Sequence, residues 1–142
     1  MSGSVSKGVK DLYWEILKVV EKLLGTSDQL DTNELERVGW LLFPEKFNGV
    51  FAKDEPYDEK KGFSIVNTDN IDEPGEHWMA VADGFKYDSF ARHRENLINQ
   101  PNLPSLGDNE PEQSIHEKNC GQRCLTWLAV YEAVGPERIN LL

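Results

Sequence analysis

Four side chains in this 142-residue sequence have the chemical types needed to attack a carbonyl carbon together: His77, Asp88, Gln113 and Cys120. Cys120 lies in Asn119-Cys120-Gly121-Gln122, directly before an apolar run with helical spacing. A cysteine at a helix N-terminus sees the positive end of the helix dipole and unpaired amide N–H groups, and both favour the nucleophilic thiolate. Gly121 is expected to let a substrate approach the backbone and to leave the Cys120 N–H as an oxyanion donor. His77, on a strand beside Trp78, is the candidate general base. Asp88, near the other end of the same hairpin, is placed to accept an imidazole hydrogen bond and fix its tautomer. Gln113 offers an amide donor to a tetrahedral oxyanion, a contact worth roughly 3 kcal/mol in comparable sites. Each of the four also has an ordinary structural reading: a buried thiol, a histidine satisfied by a carboxylate, a solvated glutamine. The argument rests on the combination.

The remaining candidates are weaker. His116 rivals His77 as base but has no obvious orienting carboxylate. His93 sits between Arg92 and Arg94 as a surface residue, and Cys124, one turn into the helix, reads as core. Glu73 and Glu76 crowd the approach to His77, either tuning it or standing as solvated loop charges.

The elements that must hold these groups follow from periodicity and punctuation. Residues 8–24 read as an amphipathic helix through Val9, Leu12, Ile16, Val20, Leu23 and Leu24, ended by Gly25. Asp31 and Glu34 form a capping box for a short second helix toward Val38. Residues 39–51 are apolar but interrupted by Pro44 and Gly49, which predicts a partly irregular segment. The charged stretch 54–61 reads as a loop, 62–68 as a strand and the acidic 69–75 as a turn-rich connection. Residues 76–82 and 85–88 then form two strands joined by a tight turn at Asp83-Gly84. Residues 92–99 suggest a short helix and the proline-rich 101–112 a loop. A last helix runs from Cys120 to Val134, stopped by Gly135-Pro136. The order helices, hairpin-based sheet, helix predicts an α+β domain spanning 1–142, with a central sheet flanked by helices.

Bulk properties narrow the partners. A 39% hydrophobic content with four tryptophans supports one core in a chain of this length. Twenty-five acidic against 15 basic residues give a formal net charge of −10, and no basic cluster occurs. Such a surface is repelled by phosphate backbones, so no nucleic-acid partner is expected. No apolar run reaches the roughly eighteen residues of a membrane span, and the N-terminus lacks the pattern of a signal peptide. A protein located inside a cell, or packaged from one, is therefore expected, without membrane attachment. With two cysteines one turn apart and no Cys-x-x-Cys pair, free thiols are expected rather than a disulfide or a structural zinc site, and no cofactor is implied.

The order His77-Trp78, Tyr87-Asp88-Ser89-Phe90, Gln113, Asn119-Cys120-Gly121 resembles the adenain family, the adenovirus-type maturation proteases. The resemblance extends to Ser64-Ile65-Val66-Asn67-Thr68, to Gly75-Glu76-His77-Trp78-Met79-Ala80-Val81-Ala82, and to Phe43-Pro44 with Phe47-Asn48-Gly49, and it spans roughly residues 40–130. It implies a rearranged papain-like fold, with His77 as base, Asp88 as its orienter, Cys120 as nucleophile and Gln113 as oxyanion donor. The implied substrates are capsid or core precursor proteins, cut during particle maturation by a monomeric enzyme of a virophage or related mobile element. The implied location is the virion and the host-cell interior, cytoplasm or nucleus. The acidic member is Asp where adenovirus enzymes carry Glu; Asp is usual in the related proteases that deconjugate ubiquitin-like proteins. Adenovirus enzymes are stimulated by DNA and by a peptide disulfide-linked to a separate cysteine. This acidic chain has no cysteine outside the Cys120 region, which predicts that neither activates it. Three other readings share parts of the pattern: a deconjugating isopeptidase, a triad-based acetyltransferase and an inactive binding module.

Overall fold

The structure is a computed structural model that describes residues 2–25, 32–68, 77–87 and 119–139. Among the described residues it is α+β, with three helices and one four-stranded mixed sheet. In chain order these are α1 (Ser2–Leu24), α2 (Thr32–Leu42), β1 (Phe47–Phe51), β2 (Phe63–Asn67), β3 (Trp78–Ala82), β4 (Phe85–Tyr87) and α3 (Cys120–Ile139).

Helix α1 starts earlier than its apolar periodicity predicted and ends at Gly25, whose φ of 72° is the left-handed conformation of a helix C-terminus. Its buried stripe is Val9, Tyr13, Leu17 and Val20, whereas Leu23, expected inside, is exposed. The largest difference from expectation lies in residues 39–51. The irregular part is confined to 43–46, around Pro44: α2 continues through Gly39 to Leu42, and residues 47–51 form β1. A glycine within a helix ordinarily costs about 1 kcal/mol relative to alanine. Here the Phe47 ring occupies the space beside it, and a Cβ on Gly39 would collide with that ring. Tertiary packing of an aromatic ring therefore explains a residue that local propensity counts against the helix. The capping-box Asp31 lies outside the described residues, as do the predicted turn 69–75, helix 92–99 and loop 101–112.

The sheet order is β1-β2-β3-β4, with β1 parallel to β2 and the other pairs antiparallel. The parallel pair needs the crossover 52–62, and Asn48 pins it. Its amide nitrogen donates to the Lys61 carbonyl (2.8 Å), to the Asp58 carbonyl (3.2 Å) and to Ser64 Oγ (3.1 Å). The predicted hairpin is present: Ala82 pairs with Phe85 across Asp83 (φ 48°) and Gly84 (φ 90°), two positive-φ residues that match the twist of the flanking strands.

One sheet face joins the helices in the main core. Phe63, Ile65, Trp78, Ala80, Ala82 and Tyr87 pack with the buried sides of α1, α2 and α3. Trp127 stacks on Tyr87 with ring centroids 5.0 Å apart, and Tyr131 meets Phe63 edge-on at 5.7 Å. Each large apolar side chain buried in this way contributes about 1.5–3 kcal/mol relative to exposure. Val66, Met79 and Val81 form a second, smaller cluster with Tyr57 against it. Among the described residues, no helix is long and apolar enough to cross a membrane.

The hairpin turn is tied to both neighbours. Asp83 Oδ1 accepts from the Gly62 N–H (2.9 Å), and its Oδ2 accepts from the Tyr131 hydroxyl (3.3 Å). Burial first, and then the Asp83 charge and hydrogen bond, push the Tyr131 pKa up from 10.0 to about 12. Because the folded value lies above the ordinary one, this contribution to stability is complete below pH 10 and is lost as pH rises toward 12. In denaturant titrations, the wild type is expected to lose more stability between those pH values than Tyr131→Phe. Parallel losses would show that the Asp83–Tyr131 contact does not couple protonation to folding.

Candidate active site

Helix α3 and strand β3 together decide where Cys120 and His77 stand. Tyr131 reaches the hairpin turn through Asp83, Trp127 stacks on Tyr87 across from Ala80, and Arg123 reaches Tyr87 through the Tyr13 hydroxyl. Descending α3 from Tyr131 thus means moving along β3 from its turn toward its beginning. The helix runs antiparallel to the strand. From Tyr131 back to Cys120 the helix covers roughly 16 Å, and from Asp83 back to His77 the strand covers about 20 Å. Cys120, the first residue of α3, and His77, the residue before β3, consequently lie toward the same end of this helix–sheet layer.

Both are buried, Cys120 at 3% exposure and His77 at 6%. Cys120 belongs to the main core cluster together with Trp78, the neighbour of His77. The His77 carbonyl accepts from the Thr68 N–H at 2.9 Å, which extends the β2–β3 pairing past the strand's start and fixes the backbone there. Among the described residues no hydrogen bond joins Cys120 Sγ to the His77 ring. Contacts of this kind in ligand-free enzymes are often long and tighten only when substrate binds. Asp88 and Gln113, together with His116, His93, Glu73 and Glu76, lie outside the described residues. The observed ladder pairs Val81 with Lys86 and Ala80 with Tyr87, three residues short of His77.

Cys120 begins α3 as expected. The Arg123 N–H donates to the Asn119 carbonyl at 3.0 Å, which makes Asn119 the residue preceding the helix and Cys120 its first member. Cys124 is buried one turn further in, and neither cysteine is in a disulfide. The expectation for Gly121 needs correction. It is buried, and a Cβ there would stand 2.9 Å from Leu35 Cδ2 of α2. Its smallness therefore serves the close packing of α2 on α3 and not the approach of a substrate to that face.

Sequence reasoning missed a polar network just behind Cys120. Arg123 is 1% exposed. Its Nε donates to Asn119 Oδ1 at 3.0 Å, an Nη donates to the Tyr13 hydroxyl at 3.5 Å, and its guanidinium lies 5.0 Å from the Trp14 ring centre. The Tyr13 and Tyr87 hydroxyls are 3.2 Å apart, and Asn119 Nδ2 donates to Glu21 Oε1 at 3.0 Å. A buried guanidinium needs such partners, since leaving one uncompensated is strongly destabilising. One signal was legible: Arg123 is the single charged residue between Cys120 and Tyr131, inside an otherwise apolar run. Among the described residues no group of three or more His, Cys, Asp or Glu is arranged to hold a metal ion.

No protein-family model matches the chain, and no curated protein matches it in sequence.

Proposed function

We propose that this protein is a cysteine endopeptidase of the adenain type, with a rearranged papain-like fold, that cleaves capsid or core precursor proteins during particle maturation. The antiparallel packing of α3 on β3 carries the reading, because it brings the α3 N-terminus bearing Cys120 and the beginning of β3 bearing His77 to one end of the layer. In the mechanism, His77 takes the Cys120 proton and the thiolate adds to the peptide carbonyl. Gln113 and the Cys120 N–H hold the oxyanion. His77 then protonates the leaving amine, and water hydrolyses the thioester to free Cys120. The reading requires the β3–β4 ladder to continue one pair beyond Ala80–Tyr87. In that arrangement Asp88 is the residue assigned to accept a hydrogen bond from the His77 imidazole.

The resemblance to the maturation proteases gains support from Asn48. The quoted Phe47-Asn48-Gly49 segment forms the start of β1 and anchors the crossover to β2, a scaffold role suited to a motif that accompanies a fold.

The test is to present capsid precursors carrying glycine before candidate scissile bonds, the small-residue preference that the resemblance to the maturation proteases implies, beside conjugates of ubiquitin-like proteins, to wild type and Cys120→Ala. Cleavage within the precursor backbone, abolished in Cys120→Ala and unaffected by added duplex DNA, is the expected result. Cleavage confined to the isopeptide bond would move the assignment to deconjugation. Intact substrates throughout would leave a binding module. Stimulation by DNA that fades with salt would overturn the expectation drawn from the acidic surface.

A further inference from the structure

Asparagine is favoured immediately before a helix because its side-chain oxygen accepts from the first-turn N–H groups. Asn119 occupies that position and does something else. Its Oδ1 is taken by Arg123 Nε at 3.0 Å, and its Nδ2 is spent on Glu21 Oε1 at 3.0 Å. Arginine only donates and a carboxylate only accepts, so the two partners together set which way the amide faces. Arg123 is in turn held by two residues of α1, the Tyr13 hydroxyl and the Trp14 ring, and Glu21 lies on the same helix.

Released from these contacts, Asn119 would revert to capping. A cap on the Gly121 or Gln122 N–H sets a partly negative oxygen over the first turn of α3, where a substrate oxygen must settle beside the Cys120 N–H. We propose that Arg123 and Glu21 are positioning residues that hold the Asn119 side chain off the α3 N-terminus and so keep the oxyanion site beside Cys120 open. This rests on the proteolytic reading above. It also gives α1 a role in the chemistry although α1 supplies no reacting group.

Two thiol probes separate this role from simple support of the fold. A peptide aldehyde ending in glycinal adds to Cys120: the S–C bond forms, the carbonyl π pair moves to oxygen, and the thiol proton ends on that oxygen, which occupies the oxyanion site. Iodoacetamide forms an S–C bond with loss of iodide and a proton, and it creates no oxyanion. Arg123→Met is expected to weaken aldehyde binding ~10-fold or more while leaving the alkylation rate of Cys120 essentially unchanged. The double variant Arg123→Met/Asn119→Ala, which has no side chain to cap with, is expected to recover the affinity. Equal loss with both probes, or no recovery in the double variant, would overturn the positioning role and leave the protease reading standing. A wild type that neither binds the aldehyde nor alkylates Cys120 ahead of Cys124 would overturn both. If Arg123→Met does not fold, Glu21→Ala decides, since it frees Asn119 Nδ2 and leaves the amide to Arg123 alone; the proposal gives both partners a part in holding it, so unchanged aldehyde affinity there would sink the proposal.

Discussion

His77→Ala is expected to lower peptide hydrolysis about 10³-fold, the range that a positioned general base contributes. Folding should persist. The His77 carbonyl keeps its hydrogen bond from Thr68 N–H whatever the side chain, and so preserves the start of the β2–β3 pairing. The same substitution should slow alkylation of Cys120 near neutral pH, because the proposed mechanism makes the imidazole the acceptor of the thiol proton. Cys124 provides an internal control within the same molecule. It is buried one turn along the same helix, away from the dipole's end, so its labelling should be slow in both wild type and variant. Mass spectrometry of wild type, His77→Ala and Cys120→Ala after brief labelling reads all of this at once. Equal, slow modification of both cysteines, indifferent to His77, would remove the dyad from the account.

The second large effect concerns stability and tests why α2 and β1 exist where they do. In an exposed helix Gly39→Ala would stabilise by about 1 kcal/mol. Here the new methyl meets the Phe47 ring at a separation no Cβ contact tolerates, so either the ring or the helix must move. The net expectation is destabilisation by about 1–3 kcal/mol, the usual cost of overpacking a filled core. Phe47→Ala alone should cost about 3–5 kcal/mol. The two together should cost clearly less than their sum, since deleting the ring vacates the space the methyl needs. Urea unfolding of the four proteins measures the coupling. Additive losses would mean that Gly39 and Phe47 do not share this space in solution.

The pair also marks where reading the chain in order stopped working. The hairpin was legible because its signal is local. Asp83-Gly84 is a dipeptide suited to two consecutive positive-φ positions, and the apolar residues on both sides alternate or run together as strands do. Helices α1 and α3 were legible for the same reason: a 3.6-residue apolar period needs no knowledge of what lies opposite. From those signals the α+β class, the hairpin, the start of α3 at Cys120 and the break at Gly135 (φ 82°) could all be stated from the order of residues. His77 and Cys120 could be put forward as a candidate pair from residue type and setting, because a thiol at a helix start has a meaning independent of the rest of the fold.

Other features depended on partners distant in sequence. Gly39 is tolerated within α2 because the Phe47 ring fills the space beside it, and β1 is a strand because Phe63–Val66 offer it a parallel ladder across a long crossover. Gly121 looked suited to substrate until Leu35 of α2 took the space. Arg123 had no visible reason to be buried; Tyr13, Trp14 and Asn119 supply it, the first two from a helix more than a hundred residues earlier. Periodicity and turn chemistry are properties of neighbouring residues, and the chain displays them directly. Burial of a charge, tolerance of a glycine and parallel pairing are energies set by groups that only folding brings together.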